Sequence, residues 1–397
     1  MKLPHIVQFS PRFLPLLGGP EIDISTIISR LDEFRFSVVS NALQSVARYE
    51  EIGPRSAIWR VGPVDPFLSS QSKDESWKWK VLRASISDLT RHKAKLRLIN
   101  RLKPDLVHVR DIDGWHFLKI DNMLGLRLFY SLAKRIASFQ DLGVPLLLTK
   151  HYLHPPGAVP RNYIDLEDFL LRQFSFMQCV DRHIFSEMNA RLEGTDARVW
   201  FTPVYVDTSR FTLLPWDPHD GIVVGYIGRH DVDKGTGLLA RLVAEAPPWI
   251  RFIVAISGTS REIVEFRNLV RGGRIEVHEN VPHNELPKII QRFDILLNPV
   301  ATEGISRVAL EAMACGRPVI MTKLGNRHPV IDGETGFLCT PQPEVLLEVL
   351  TTLKNSRQQL AEFGVRARQI VMKEYNADQA MKKQAEIYES VLRTVAG

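Results

Sequence analysis

The sequence predicts an α/β protein built from two doubly wound parallel-sheet domains. The first observation is length: 397 residues exceed the roughly 250–300 at which a single hydrophobic core stops growing. The second is rhythm: short, near-continuous apolar runs alternate with longer stretches of helical period, as parallel strands covered on both faces require. The third is a break. Residues 203–221 (PVYVDTSRFTLLPWDPHDG) are rich in Pro and Asp, have no period, and separate two such series. The expected boundaries are 1–205 and 206–376, with the terminal helix, 377–397, assigned to the first domain.

In the first half the strand candidates are HIVQFS (5–10), FSVVSN (36–41), SAIWRVG (56–62), LVHVRD (106–111), PLLLTK (145–150), HIFS (183–186) and RVWFTP (198–203). In the second half they are GIVVGYIG (221–228), RFIVAISG (251–258), RIEVHEN (274–280), DILLNP (294–299), RPVIMT (317–322) and GFLC (336–339). All are rich in β-branched and aromatic residues and bounded by turn formers. Helical period appears between them at 236–246, 285–293, 307–315 and 345–356, and after them at 377–395.

Composition excludes several classes. With 45% hydrophobic and 24% charged residues, the chain builds cores and is not a disordered or fibrous polymer. No run reaches the roughly 18–20 apolar residues of a membrane span. The first 19 residues read as a strand and loop instead of a signal peptide, because Arg12 and three prolines interrupt them. Three widely spaced cysteines, Cys179, Cys315 and Cys339, form neither a disulfide framework nor zinc spacing, which points to a reducing, cytoplasmic setting. The net charge of +6 favours anionic partners. Nine basic residues against one acidic lie between Lys78 and Lys103. Two readings stay open for 77–103: a solvated helix face over core Leu and Trp, or a surface resting on an anionic membrane. No nucleic-acid-binding module is visible.

The most informative stretch is 298–339. DILLNP ends in a loop with Glu303 and Gly304, and a helix begins near Ser306, a good N-cap. Free N–H groups and the positive dipole end at such a terminus suit phosphate. Arg307 in the first turn opposes the dipole, a conflict that a bound anion relieves. Glu303 and Glu311 lie eight residues apart, up to about 12 Å along a helix, and carboxylates accept sugar hydroxyls well. Alone, such a pair is more often two solvated charges. Upstream, GYIGRHDVDKG (225–235) sets Arg229 and Lys234 in a strand-to-helix loop; a guanidinium fork and an ammonium point charge both suit phosphate.

At these residues the chain resembles the retaining glycosyltransferases of family 4, which have the two-Rossmann GT-B fold. The resemblance rests on Glu303-Gly304, Glu311-Ala312-Met313-Ala314, Gly316, Pro318-Val319-Ile320, Asp332-Gly333 with Gly336, and Gly228-Arg229 with Lys234-Gly235. Asp207 and Phe211 resemble the family's linker, Gly18-Gly19-Pro20-Glu21 its glycine loop, Lys103 to His108 its P-D-x-V-H strand, and Thr149-Lys150-His151 its T-x-H loop. The resemblance implies that Arg229 and Lys234 bind the donor diphosphate, that Glu303 contacts the donor sugar, and that Glu311 binds the ribose. It places Gly304, Ile305, Ser306 and Arg307 near sugar or phosphate, Val281 and Pro282 at the base, Gly19 close to the phosphates, and His151 by the transferred sugar. Glu303, His151, Arg229 and Lys234 are thus the expected catalytic set, in a cleft between the domains.

The chain departs from the family at Ser306 and Arg307, at Gly325-Asn326-Arg327-His328-Pro329, where a Glu is usual at the last position, and at Arg110, where a His is common. Arg110 either reads an acidic acceptor or pairs with Asp111 or Asp113. Asp111-Ile112-Asp113 and Asp231-Val232-Asp233 mimic a metal motif but read better as surface charge, and His151 with His154 is too few ligands for zinc. The resemblance implies no cofactor and no essential metal. It implies a nucleotide-sugar-dependent hexosyltransferase of glycan biosynthesis, cytoplasmic or peripheral on the membrane. The acceptor is a sugar, glycan or lipid-linked precursor. Other GT-B chemistry (a sugar-nucleotide epimerase or a phosphorylase) and a non-catalytic nucleotide binder are the alternatives.

Overall fold

A computed structural model of the protein describes all residues except 1, 15–17, 65–76, 111–133, 152, 154–160, 217–218, 231–233, 272–273, 301–304, 326, 355 and 397; for 77–89, 162–163 and 395–396 it describes the backbone only. The chain forms two compact units, Met1–Pro203 with Met381–Gly397, and Val204–Ala380.

The first unit holds an eight-stranded sheet in the order β3-β4-β2-β1-β5-β6-β7-β8. Its strands are β1 (His5–Phe9), β2 (Arg35–Asn41), β3 (Tyr49–Gly53), β4 (Ser56–Val61), β5 (Leu106–Val109), β6 (Leu146–Lys150), β7 (Phe176–Cys179) and β8 (Arg198–Phe201). All neighbours pair in parallel except β3 with β4. Helices α1 (Gly19–Arg30), α2 (Trp77–Leu102), α3 (Arg161–Arg172) and α4 (Arg182–Arg191) belong to this unit. β1, β5, β6 and β7 are buried at every position, which explains their near-continuous apolar sequences. The second unit holds a six-stranded parallel sheet, β11-β10-β9-β12-β13-β14. Its strands are β9 (Ile222–Arg229), β10 (Ile250–Ser257), β11 (Ile275–Glu279), β12 (Ile295–Asn298), β13 (Val319–Thr322) and β14 (Gly336–Cys339). Around it lie α5 (Thr236–Glu245), α6 (Ser260–Leu269), α7 (Leu286–Ile290), α8 (Arg307–Ala314), α9 (Pro343–Leu353) and α10 (Arg357–Glu374). Separate apolar clusters pack on its two faces, one around Phe293, Leu310 and Met313, the other around Leu239, Phe252 and Phe266.

One expected strand is a correction. HIFS (183–186) lies inside α4, and the strand is β7 just before it. Asp181 decides this: its carboxylate accepts from the His183 amide at 2.7 Å and caps the helix. A four-residue apolar run carries no period of its own. β3 has no counterpart among the expected strands; its exposed YEEIG pattern is that of an edge strand.

The terminal helix, α11 (Ala377–Ala396), enters the first unit through buried polar contacts. The Tyr388 hydroxyl meets Gln8 Nε2 and His108 Nδ1, both at 2.8 Å. Gln178 Nε2 donates to Gln384 Oε1 and to Thr149 Oγ1, both at 3.0 Å, and His108 Nε2 lies 2.6 Å from Thr149 Oγ1. His108 is held well below the usual histidine range by burial first, and then by Arg110 and His151. Burial, and next the nearby Arg35, lowers His5 from 6.5 to about 4. Both rings are therefore neutral in the fold and take up protons more readily when unfolded. The resulting stability is complete above pH about 6.5 and is lost as pH falls toward 4. His5 alone accounts for about 3 kcal/mol of that loss. Urea melts from pH 7 to pH 4 are expected to show the decline, and His5→Asn to flatten its slope.

Candidate functional site

The chain winds from β9 outward through β10 to β11, then returns to β12 on the other side of β9. The sheet order reverses between β9 and β12, and open α/β sheets take ligands in the crevice outside the carboxyl ends of strands at such a switch point. The residues arriving there are the end of β9 with its loop, and the end of β12 with the N-terminus of α8.

Arg229 closes β9 and is exposed; Lys234 is half-buried. The buried Tyr226 hydroxyl donates to the carbonyls of Arg229 at 3.3 Å and Lys234 at 3.2 Å, pinning both ends of the loop between the cations. Gly235 begins α5 at φ +72°, and a Cβ there would lie 2.4 Å from the Pro299 carbonyl oxygen. That close approach brings the cationic loop against the chain leaving β12. Tyr226→Phe is expected to leave the fold intact and raise the KM for a nucleotide donor about 5–10-fold, roughly one hydrogen bond; steady-state kinetics check it.

Ser306 is the N-cap of α8: its Oγ accepts from the Ala309 amide at 3.2 Å and donates to Asn298 Oδ1 at 3.1 Å. The helix terminus is therefore tied to the end of β12. Ile305 is half-buried against the core. Arg307 is already engaged: Nη1 donates to the Tyr205 carbonyl at 2.9 Å and the guanidinium lies 5.1 Å from the Tyr205 ring. The Arg307 side chain is thus held by Tyr205, in the segment before β9. Arg327 is buried and donates from Nε to the Thr322 carbonyl at 2.9 Å and from Nη2 to the Val300 carbonyl at 3.2 Å. It clamps β13 to the segment entering 301–304. Glu303 and Gly304 lie outside the described residues, as do Asn326, Asp231 and Asp233.

Glu311 is 2% exposed, and its Oε1 accepts from His283 Nε2 at 2.7 Å. His283 follows Val281, a half-buried core neighbour, and the exposed Pro282. Its ring packs on Phe211, centroids 5.4 Å apart. Cys315, at the end of the same helix, has its thiol pushed up to about 12 by burial; it is a packed thiol and not a nucleophile.

In the first unit the order likewise reverses between β1 and β5. Gly19 opens α1, with nothing within 4 Å of where its Cβ would be; it is Gly18 whose Cβ would meet Glu21 Oε2 at 2.7 Å. That oxygen is the movable end of a side chain and Gly18 has an extended backbone, so the described atoms demand glycine at neither position. His151 directly follows β6 and is half-buried; His154 lies outside the described residues. Arg110 is buried and does not reach for solvent: it pairs with Asp23 of α1 and donates from Nε to Gln8 Oε1 at 3.0 Å. Asp23 is its carboxylate partner among the described residues, and Asp111 and Asp113 lie outside them. The basic segment divides by face. Lys93, Arg97, Arg101 and Lys103 are exposed, whereas Arg91, His92 and Lys95 are buried, with Lys95 Nζ 4.8 Å from the Phe9 ring centroid. Side chains of 77–89, including Trp77 and Trp79, are not among those described. Among the described residues no helix is long and apolar enough to cross a membrane.

Sequence reasoning missed Tyr226, His283 and Arg327. His283 had the best signal, two residues past Val281 in VPHNEL. Its partner lies 28 residues away.

Residues 221–355 match the family model described as glycosyl transferases group 1. Over 228 residues the chain is 28% identical to one component of human phosphatidylinositol N-acetylglucosaminyltransferase, covering 53% of this chain and 45% of that one. It is 26% identical over 257 residues to glycogen synthase of Mycobacterium tuberculosis, covering 60% and 57%. The chain thus spans about half the length of the curated relatives it matches. Among solved structures, sucrose-phosphate synthase of Thermosynechococcus elongatus superposes with a TM-score of 0.76 over 98% of this chain and all of that one, at 17% identity. Anabaena HepE, solved in complex with UDP-glucose, superposes at 0.68 over 97% and 99%, at 16% identity. The fold is GT-B.

Proposed function

We propose that this chain, a GT-B protein whose second unit belongs to the group 1 glycosyl transferases, moves a sugar from a nucleoside-diphosphate sugar to an acceptor hydroxyl with retention at the anomeric carbon. The observation that carries this is the switch point between β9 and β12. There Tyr226 ties the two ends of the loop that carries Arg229 and Lys234, Gly235 of that loop lies against Pro299, and Ser306 ties the N-terminus of α8 to Asn298 at the end of β12. Cations and helix N–H groups fixed in advance stabilise charge as it develops on a departing diphosphate, at no reorganisation cost during the reaction. We assign the diphosphate to Arg229 and Lys234, the ribose to Glu311, the donor sugar to Glu303 and Gly304 with Ile305 and Ser306, and the base to the turn at Val281. No step is assigned to a metal. We assign the acceptor to the first unit, with His151 near the accepting hydroxyl. The complex of HepE with UDP-glucose makes UDP-sugars the first donors to try.

A lipid-linked or polysaccharide acceptor fits the likeness to the phosphatidylinositol enzyme and the exposed stripe of Lys93, Arg97 and Arg101 along α2. The stripe favours peripheral contact with an anionic bilayer, at about 1 kcal/mol per cation. Lys93→Glu, Arg97→Glu and Arg101→Glu together are expected to abolish flotation with phosphatidylserine vesicles at low salt. Lys95→Glu instead damages the fold, because that residue is buried. Incubation with UDP-, GDP- and ADP-sugars tests the activity: nucleotide release that depends on acceptor, with product anomers retained by NMR, is the expected result. Release without acceptor, or a product epimerised on the nucleotide, contradicts it.

A further inference from the structure

We infer that His283, braced by Phe211, is a positioning residue for Glu311 and thereby sets how strongly the protein prefers a ribonucleoside diphosphate over its deoxy counterpart. The inference rests on the donor-site reading above. A carboxylate withdrawn from water needs N–H or O–H donors. Among the described residues, the one hydrogen bond that the Glu311 carboxylate accepts comes from His283 Nε2, at 2.7 Å. Oε1 is thereby fixed and Oε2 is left to a ligand hydroxyl. Arg210 Nη1 lies 3.4 Å from His283 Nδ1. A guanidinium only donates, so Nδ1 accepts and the ring proton sits on Nε2, facing Glu311.

The ring's orientation has its own support. Phe211 is fully buried, tilted 54° to the His283 ring, and belongs to the loop closed by the Phe211 amide bonding the Asp207 carbonyl at 2.9 Å. Asp207 Oδ1 also accepts from the Ser209 amide and hydroxyl, at 3.1 and 2.6 Å. A chain of contacts therefore runs from residues 207–211 through His283 to one oxygen of Glu311. Without His283, the carboxylate either turns toward another donor or loses its fixed direction, and a diol no longer finds it in place.

The test is calorimetric binding of UDP, GDP and ADP, each against its 2′-deoxy and 3′-deoxy forms. The wild-type protein is expected to bind the ribo form of its preferred nucleotide roughly 10-fold or more tightly than at least one deoxy form, as for a hydrogen bond to a charged group. In His283→Ala the ratio falls toward one, because ribo binding weakens while deoxy binding is kept. His283→Gln, which restores an N–H donor, recovers part of the ratio. Phe211→Leu, which keeps the donor but loosens its brace, lowers the ratio by a smaller factor, and provides the reading if the alanine variant does not fold. A wild-type ratio in folded His283→Ala, or a lost ratio that His283→Gln does not recover, overturns the inference. Failure of the wild-type protein to bind any nucleoside diphosphate overturns the donor-site reading instead.

Discussion

Arg229→Ala and Lys234→Ala are each expected to lower sugar transfer by about 10²–10³-fold, the usual cost of removing a preorganised group aimed at developing charge. Both side chains sit on a loop whose two ends are held by one tyrosine hydroxyl. Arg229→Lys is expected to recover only part of the loss, because an ammonium keeps the charge but not the two-pronged fork. Arg261→Ala is the control. That arginine is largely exposed and pairs with Glu265 one turn on, a surface pair of little energetic weight, so activity should not change. Initial rates at saturating acceptor separate the cases. Equal loss in kcat and kcat/KM would mean that the cations act mainly in the transition state; a rise in KM alone would mean uniform donor binding.

Gly235→Ala is expected to damage both the second unit and its cationic loop. The residue has φ +72°, and its Cβ would lie 2.4 Å from the Pro299 carbonyl oxygen and 2.7 Å from the Pro299 ring. Left-handed backbone costs a non-glycine residue about 1–2 kcal/mol, and overpacking adds about 1–3 kcal/mol. A loss near 3 kcal/mol is expected, read as a drop in the melting temperature of several degrees, with nucleotide binding weakened beyond it because the cationic loop is pushed off the end of β12. Gly237→Ala, two residues on in the same helix, meets nothing within 4 Å and is expected to be stabilising by about 0.5–1 kcal/mol. The contrast separates the close approach from any general effect of adding a methyl group to α5.

Much of the fold is legible in the sequence because its signals are local. Buried parallel strands are apolar on both faces, so β1, β9, β10 and β12 announce themselves, and Ser306 shows as a cap from its position before a helical run. HIFS misleads because a run that short fits either period, and the deciding group, Asp181, lies outside it. What stays hidden depends on distant partners. The sequence shows that Arg307, Arg110 and Glu311 are charged; it does not show that they meet Tyr205, Asp23 and His283, which lie 102, 87 and 28 residues away. Lys95 makes the same point. In a run of cations nothing marks Lys95 as turned inward onto Phe9, or Arg91 as buried with it. A charge run reads as one surface until the helix is packed.

The central claim is that the crevice between β9 and β12 holds the diphosphate of a nucleotide-activated sugar. The most direct test is calorimetric titration of the purified protein with UDP, GDP, ADP and dTDP. Saturable binding with clear preference for one of the four, weakening steeply in both Arg229→Ala and Lys234→Ala, is the predicted result. Binding that survives both substitutions, or no binding to any of the four, would contradict it.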